Sequence, residues 1–179
     1  AWFLLRYFGH KNILILNGGL KNWKKNGGET TAKKTIISKG NFVSKTEKKD
    51  LVVKLEEMIS ISKNNSKVIL DARSYKRFIG EAKEPRPGLQ SGHIPNSKSL
   101  ASSELLTNNG YLKSIKELDK LFANNHIDKS QDIIATCGSG VSACVISVAL
   151  YCLGKENVPI YDGSWTEWAT SGQKIQKGS

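Results

Sequence analysis

The run Ile133-Ile134-Ala135-Thr136 leads straight into Cys137-Gly138-Ser139-Gly140-Val141-Ser142, and that loop opens the almost wholly apolar stretch Ala143–Leu153. A short apolar strand without polar alternation is buried on both faces, which confines it to a parallel sheet covered by helices. The rest of the chain repeats the pattern. Val68-Ile69-Leu70 predicts a second buried strand ending in Asp71-Ala72-Arg73, and Val158–Tyr161 a third. Leu51–Ser62 reads as an amphipathic helix with Leu51, Leu55, Met58 and Ile59 on one face, and Ile115–Asn124 as another. A loop rich in Pro and Gly joins Ile79 to Asn96. Alternating strands and helices predict an α/β fold with a central, mainly parallel sheet flanked by helices.

The 179 residues carry a formal net charge of +11, which suggests a nucleic-acid partner until its distribution is considered. Residues 1–50 hold 11 Lys/Arg against 3 Asp/Glu, whereas residues 51–179 hold 16 against 13. The excess therefore sits in one Lys-rich stretch, which reads as a solvated linker and not a nucleic-acid arm. With 39% hydrophobic residues the composition is that of an ordinary globular chain. No apolar run approaches the ~18 residues of a membrane span, so neither nucleic acid nor membrane is expected as a partner. Three scattered cysteines are too few for a disulfide framework and point to a reducing compartment, the cytoplasm by default.

The chain resembles itself. Residues 5–27 slid onto 150–172 give seven identities in 23 positions, among them Gly9 with Gly154, Gly18 with Gly163, Trp23 with Trp168 and Gly27 with Gly172. Chance would give about one or two. Each copy predicts a helix end, a buried strand (Asn12–Leu16 in the first), a glycine turn and a short Trp-bearing helix. The second copy follows a whole domain and the first follows four residues. The expectation is therefore residues 1–27 as the remnant of a first repeat, 28–46 as a Lys-rich linker and 47–177 as the catalytic domain. Apolar surface that meets the rest of a first repeat is then expected to be exposed, covered by 1–27, or buried in self-association.

Ligands of open parallel sheets bind at the carboxyl ends of the strands, where Cys137 is delivered. Two glycines let backbone N–H groups turn inward around its sulfur, and the following helix adds positive potential behind it. Both favour thiolate over thiol, so Cys137 is the candidate nucleophile; a buried structural Cys in a glycine turn is the alternative. Cys144 and Cys152, eight apart on an apolar helix, read as small core hydrophobes. Their spacing, without a nearby His, matches no zinc pattern, and neither metal nor cofactor is expected.

Cys137–Ala143, together with Asp71-Ala72-Arg73, Glu84-Pro85-Arg86-Pro87-Gly88, Gly92-His93-Ile94-Pro95 and Tyr161-Asp162-Gly163-Ser164-Trp165, closely resembles the two-domain rhodanese-type sulfurtransferases, and among them the 3-mercaptopyruvate sulfurtransferases. The resemblance implies the rhodanese-like three-layer fold and a ping-pong sulfur transfer. Cys137 would take the sulfane sulfur of a small anionic donor, 3-mercaptopyruvate or thiosulfate, and pass it to a thiol, a dithiol protein or cyanide. Gly138, Ser139, Gly140, Val141 and Ser142 would cradle the persulfide, with Ser139 also catalytic. Arg77 and Arg86 match positions that bind the donor carboxylate; a surface ion pair with Glu81 or Glu84 is the alternative for them. Thiosulfate-preferring relatives place basic residues just after the cysteine, where this chain has Gly138 and Ser139, which favours mercaptopyruvate. In the mercaptopyruvate enzymes the loop serine is associated with a His and an Asp of the first domain, so this chain is expected to carry the nucleophile yet turn over slowly. His93 reads as a loop-fixing residue, and His10 and His126 as surface residues.

Two other classes compete. A cysteine phosphatase needs an Arg about six residues after the Cys to clamp a phosphate dianion, and that position is Ala143. A catalytically weak or silent interaction module of the same fold would keep the architecture without the turnover.

Overall fold

The computed structural model describes residues 1–44 and 48–178, which form two compact units. One unit comprises Ala1–Lys49 and Leu106–Leu112; the other comprises Asp50–Leu105 and Lys113–Ser179. The end of the expected linker, Lys45-Thr46, and the expected domain start at Glu47 lie outside the described residues.

The first unit holds α1 (Trp2–Tyr7) and α2 (Gly19–Lys25). Residues 28–44 form neither helix nor strand. The nearly buried Asn22 secures α2: its Nδ2 donates to the carbonyls of Asn109 (2.7 Å) and Gly18 (3.1 Å). The strand expected at Asn12–Leu16 does not form. A strand needs a neighbouring edge for its N–H and C=O groups, none among the described residues pairs with this one, and Leu14 is left 98% exposed. Ile36, Ile37 and Val43 are exposed as well.

The second unit is built on five parallel strands: β1 (Val52–Val53), β2 (Val68–Asp71), β3 (Ser97–Ser99), β4 (Ile133–Thr136) and β5 (Ile160–Tyr161), in the order β1-β5-β4-β2-β3. Among the described residues five α-helices accompany them: α3 (Leu55–Asn64), α4 (Tyr75–Phe78), α5 (Ile115–Asn124), α6 (Ala143–Cys152) and α7 (Ser164–Trp168). The expected α/β class is thus the observed one. Every residue of β4 is buried, as a central parallel strand covered on both faces requires. The pleat divides its side chains. Ile69 and Ile134 join Val53, Met58, Ile61, Tyr161, Trp165 and Trp168 in one core. Leu70, Ile133 and Ala135 alternate to the other face, and α6 packs on β4.

Two expectations need correction, and one strand was not expected. The helix expected from Leu51 starts only at Leu55, because Leu51 ends a 3-10 turn and the β-branched pair Val52-Val53 joins the sheet edge beside β5. The edge strand β3, Ser-Lys-Ser, carries no apolar signal; it pairs with β2. Cys152, expected in the core, is exposed on the solvent side of the last turn of α6, while Cys144 is half-buried. Burial pushes the Cys144 thiol up.

The segments expected to be repeats share local geometry at the same offset. Tyr7 and Cys152 end their helices, and Gly19 and Ser164 start the next ones. Gly9 and Gly154, Gly27 and Gly172 all have positive φ. Trp23 and Trp168 each donate their indole N–H to the carbonyl six residues on. Yet Trp168 is buried and Trp23 is 44% exposed.

Candidate active site

The neighbouring strands β2 and β4 finish in register, Asp71 beside Thr136. Each delivers a functional side chain to the carboxyl edge of the sheet. From β4 comes Cys137, 1% exposed. From β2 comes Asp71, followed two residues later by Arg73.

Asp71 and Arg73 found a buried ionic block. Arg73 Nε and Nη2 bind both carboxylate oxygens of Asp71, Nη2 also reaches the Gly92 carbonyl (2.7 Å), and Nη1 reaches Glu84 Oε1 (2.9 Å). The guanidinium lies over the Trp165 ring, 4.3 Å from its centroid, a favourable cation–π placement. Glu84 in turn binds Arg77 at two points, Nε to Oε1 (3.1 Å) and Nη2 to Oε2. Two carboxylates and two guanidinium groups balance, so the buried charges are compensated. The block ties the loop after α4 down onto the end of β2.

The cysteine loop is clamped from the other side by α7. Trp165 N–H donates to the Cys137 carbonyl (2.9 Å), and Thr166 N–H donates to the Gly138 carbonyl (3.1 Å). In a trans peptide the N–H points opposite to the C=O. Fixing these two carbonyls toward α7 therefore turns the N–H groups of Gly138 and Ser139 away from it. Ser164, fully buried and in the left-handed region at φ 51°, is the hub of the clamp. Its Oγ accepts from the N–H groups of Gly140 (2.9 Å) and Cys137 (3.3 Å) and donates to the Tyr161 carbonyl (2.8 Å). The Tyr161 side chain lies in the core, where burial pushes its phenol above the usual range.

A cleft of about 320 Å³ opens above the loop. Seven of the expected site residues line it: Arg77, Arg86, Cys137, Gly138, Ser139, Val141 and Ser142, joined by Glu84, Pro85, Leu89 and Thr166. Gly140 does not. Its N–H is taken by Ser164, and its φ of 77° makes the turn that a side chain would strain, 3.3 Å from the Asp162 carbonyl. Among the described residues, the N–H groups of Gly138, Ser139, Val141 and Ser142 have no partner within the chain. Arg77 makes the ion pair with Glu84 that was its alternative reading, yet its Nη2 also lies against Gly138, 3.2 Å from where a Cβ would stand. Arg86 donates from Nη1 to Thr166 Oγ1 at 2.6 Å.

His93 is a loop-fixing residue, as expected. It is buried, its Nδ1 lies 2.9 Å from the Phe78 carbonyl, and its ring stacks on Phe78 at 3.8 Å. Burial holds its pKa below the usual histidine value, opposed by the Phe78 hydrogen bond. Sequence reasoning assigned no site role to Arg73, Ser164 or Thr166 and gave Glu84 only as a possible ion-pair partner; the contacts of Ser164 and Thr166 with the cysteine loop span 24 to 28 residues. Arg73 and Ser164 had a local signal, each standing just past a strand end, after Asp71-Ala72 and Asp162-Gly163. Among the described residues no group of three His, Cys, Asp or Glu side chains gathers as a metal site, and no helix is long and apolar enough to cross a membrane.

Residues 53–171 match the Rhodanese-like domain family. The chain is 40% identical over 168 residues to a thiosulfate sulfurtransferase of Gallus gallus, covering 94% of this chain and 57% of that protein. It is 39% identical over 168 residues to a 3-mercaptopyruvate sulfurtransferase of Escherichia coli (strain K12), covering 94% and 59%. The crystal structure of SseA from Escherichia coli, described as the rhodanese fold and catalytic mechanism of 3-mercaptopyruvate sulfotransferases, superposes with a TM-score of 0.78 at 36% identity, covering 92% of this chain and 61% of that one. The chain thus spans a little over half the length of the curated relatives it matches.

Proposed function

The chain belongs to the rhodanese-like domain family, and we propose that it is a sulfurtransferase that carries a sulfane sulfur on Cys137. The observation that carries this reading is the disposition of the loop: a buried cysteine lining a cleft of about 320 Å³, in a loop whose Gly138, Ser139, Val141 and Ser142 N–H groups have no partner among the described residues. Such donors suit an anionic persulfide, whose charge they stabilise without reorganising.

With 3-mercaptopyruvate, the Cys137 thiolate attacks the donor sulfur and forms the S–S bond. The C–S bond breaks, its electron pair passes into the pyruvate enolate, and the donor thiol's proton is the equivalent that ends on carbon. With thiosulfate, the bond between the two sulfurs breaks and sulfite leaves with the pair. In the second half-reaction a thiol, a dithiol protein or cyanide attacks the outer sulfur and releases the Cys137 thiolate. Arg77 and Arg86 would orient the donor's anionic end, and the Ser139 hydroxyl, exposed on the loop, would polarise the keto group.

Relatives of both substrate types match at similar identity, so donor preference rests on the loop. Gly138 and Ser139 bring no positive charge next to the sulfur, and Glu84 offsets that of Arg77. A carboxylate with a neutral keto group fits this better than a compact dianion, and we take 3-mercaptopyruvate as the preferred donor. We also take residues 5–27 and 150–172 as duplicated units, with the linker between them and the catalytic unit after it; the shared helix limits and indole hydrogen bonds support this.

The test is thiocyanate formation from cyanide with each donor. The account expects turnover with both donors, faster with 3-mercaptopyruvate, and none in Cys137→Ser. Equal turnover by Cys137→Ser would refute it, and a chain inert toward both donors would make it a silent module.

A further inference from the structure

Two arginines reach the cleft, and they are held in different ways. Arg77 is bound at two points by the buried carboxylate of Glu84, which cancels much of its charge locally. Arg86 is exposed, and the acceptor of its Nη1 is a neutral hydroxyl, Thr166 Oγ1 at 2.6 Å. Its full charge therefore remains at the cleft.

Thr166 also donates its hydroxyl proton to the Gly138 carbonyl at 2.6 Å. A hydroxyl has one proton and two lone pairs, so the order of the chain is fixed: Arg86 donates to Thr166, and Thr166 donates to Gly138. One hydroxyl thus ties the cationic wall of the cleft to the residue beside the nucleophile. An exposed arginine otherwise samples many rotamers, and a ligand that immobilises it meets that entropy on binding.

We propose that Thr166 is a positioning residue, which holds Arg86 over the cleft to receive the anionic group of the sulfur donor. The proposal rests on the sulfurtransferase reading. It also predicts where damage falls. Thr166→Val keeps the side-chain shape and the backbone N–H that binds the Gly138 carbonyl at 3.1 Å. The loop retains that anchor, so the effect falls on donor binding and not on the chemical step.

The measurement is sulfur loading of Cys137 in this chain, followed by mass against donor concentration, with 3-mercaptopyruvate and with thiosulfate. Thr166→Val raises the half-saturating concentration roughly three- to tenfold, the worth of one ordinary hydrogen bond because Arg86 is exposed to solvent, while the maximal loading rate and the melting temperature hold. Thr166→Ser restores the original half-saturation. In an Arg86→Ala background, Thr166→Val adds nothing. The proposal alone is overturned if the unaltered chain loads and Thr166→Val loads with the same half-saturation. It is likewise overturned if the variant loses only maximal rate, or shifts as much without Arg86. An unaltered chain that takes up no sulfur from either donor overturns the sulfurtransferase reading and this proposal with it.

Discussion

Ser164→Ala tests whether the cysteine loop is held together by one buried oxygen. The substitution leaves the N–H groups of Gly140 and Cys137 without their acceptor and the Tyr161 carbonyl without its donor. A buried polar group deprived of its partner costs about 1–3 kcal/mol. The 3.3 Å contact to Cys137 is long and counts for little, so two groups remain and the loss sums to about 2–6 kcal/mol. For a chain of this size that lowers the melting temperature by roughly 5–20 °C. Backbone strain is separated by a second variant. At φ 51° an L-residue is disfavoured and glycine is not. Ser164→Gly loses the same hydrogen bonds but relieves the strain, and is expected about 1 kcal/mol more stable than Ser164→Ala. Urea unfolding followed by tryptophan fluorescence gives both numbers, since Trp165 and Trp168 lie next to the substitution. Sulfur transfer falls in both variants because the Gly140 N–H is no longer held. Ser164→Ala within about 0.5 kcal/mol of the unaltered chain, the range of ordinary surface changes, would refute the reasoning. So would Ser164→Gly proving the less stable of the two.

Other outcomes follow from the same contacts. Gly140→Ala forces a side chain into φ 77° and toward the Asp162 carbonyl; it should cost about 1–3 kcal/mol in thermal or urea unfolding and reduce sulfur transfer. Arg77→Ala leaves one arm of the buried Glu84 carboxylate unpaired, so unfolding measurements should show a loss of stability, whereas Arg86→Ala, at an exposed position, should leave stability within about 0.5 kcal/mol. Because burial lowers the His93 pKa in the folded state, its neutral form favours folding. That stability is fully present above the unfolded value of about 6.5 and is lost as pH falls through the lowered folded value. Melting temperature measured downward from neutral pH should therefore drop below about pH 6.5 more steeply in the unaltered chain than in His93→Gln.

The parts legible in the sequence are those specified by neighbours along the chain. Strands β2 and β4 are unbroken apolar runs, and α5 carries both the helical period and a capping box from Ser114 to Glu117. Cys137 was found because strand, glycine turn and apolar helix follow one another within a few residues. Where pairing decides, the sequence says less. Asn12–Leu16 has the composition of a buried strand and no edge to join among the described residues, while Ser97–Ser99 lacks that composition and pairs with β2. The same holds at the site. Arg86 meets Thr166 across 80 residues and Ser164 meets Cys137 across 27, distances over which no periodicity or spacing reports. The family resemblance put Gly140 in the persulfide cradle with Gly138, Ser139, Val141 and Ser142; its N–H is instead taken by Ser164.

The central claim is that Cys137 itself holds sulfur in transit. Intact-mass and peptide mapping of the chain after exposure to 3-mercaptopyruvate would test it directly. The account predicts a gain of one sulfur atom located on Cys137, absent in Cys137→Ser and removed by cyanide with release of thiocyanate. Sulfur found on Cys144 or Cys152 instead, or sulfur transfer that proceeds while Cys137 stays unmodified and is blocked by alkylation, would contradict it.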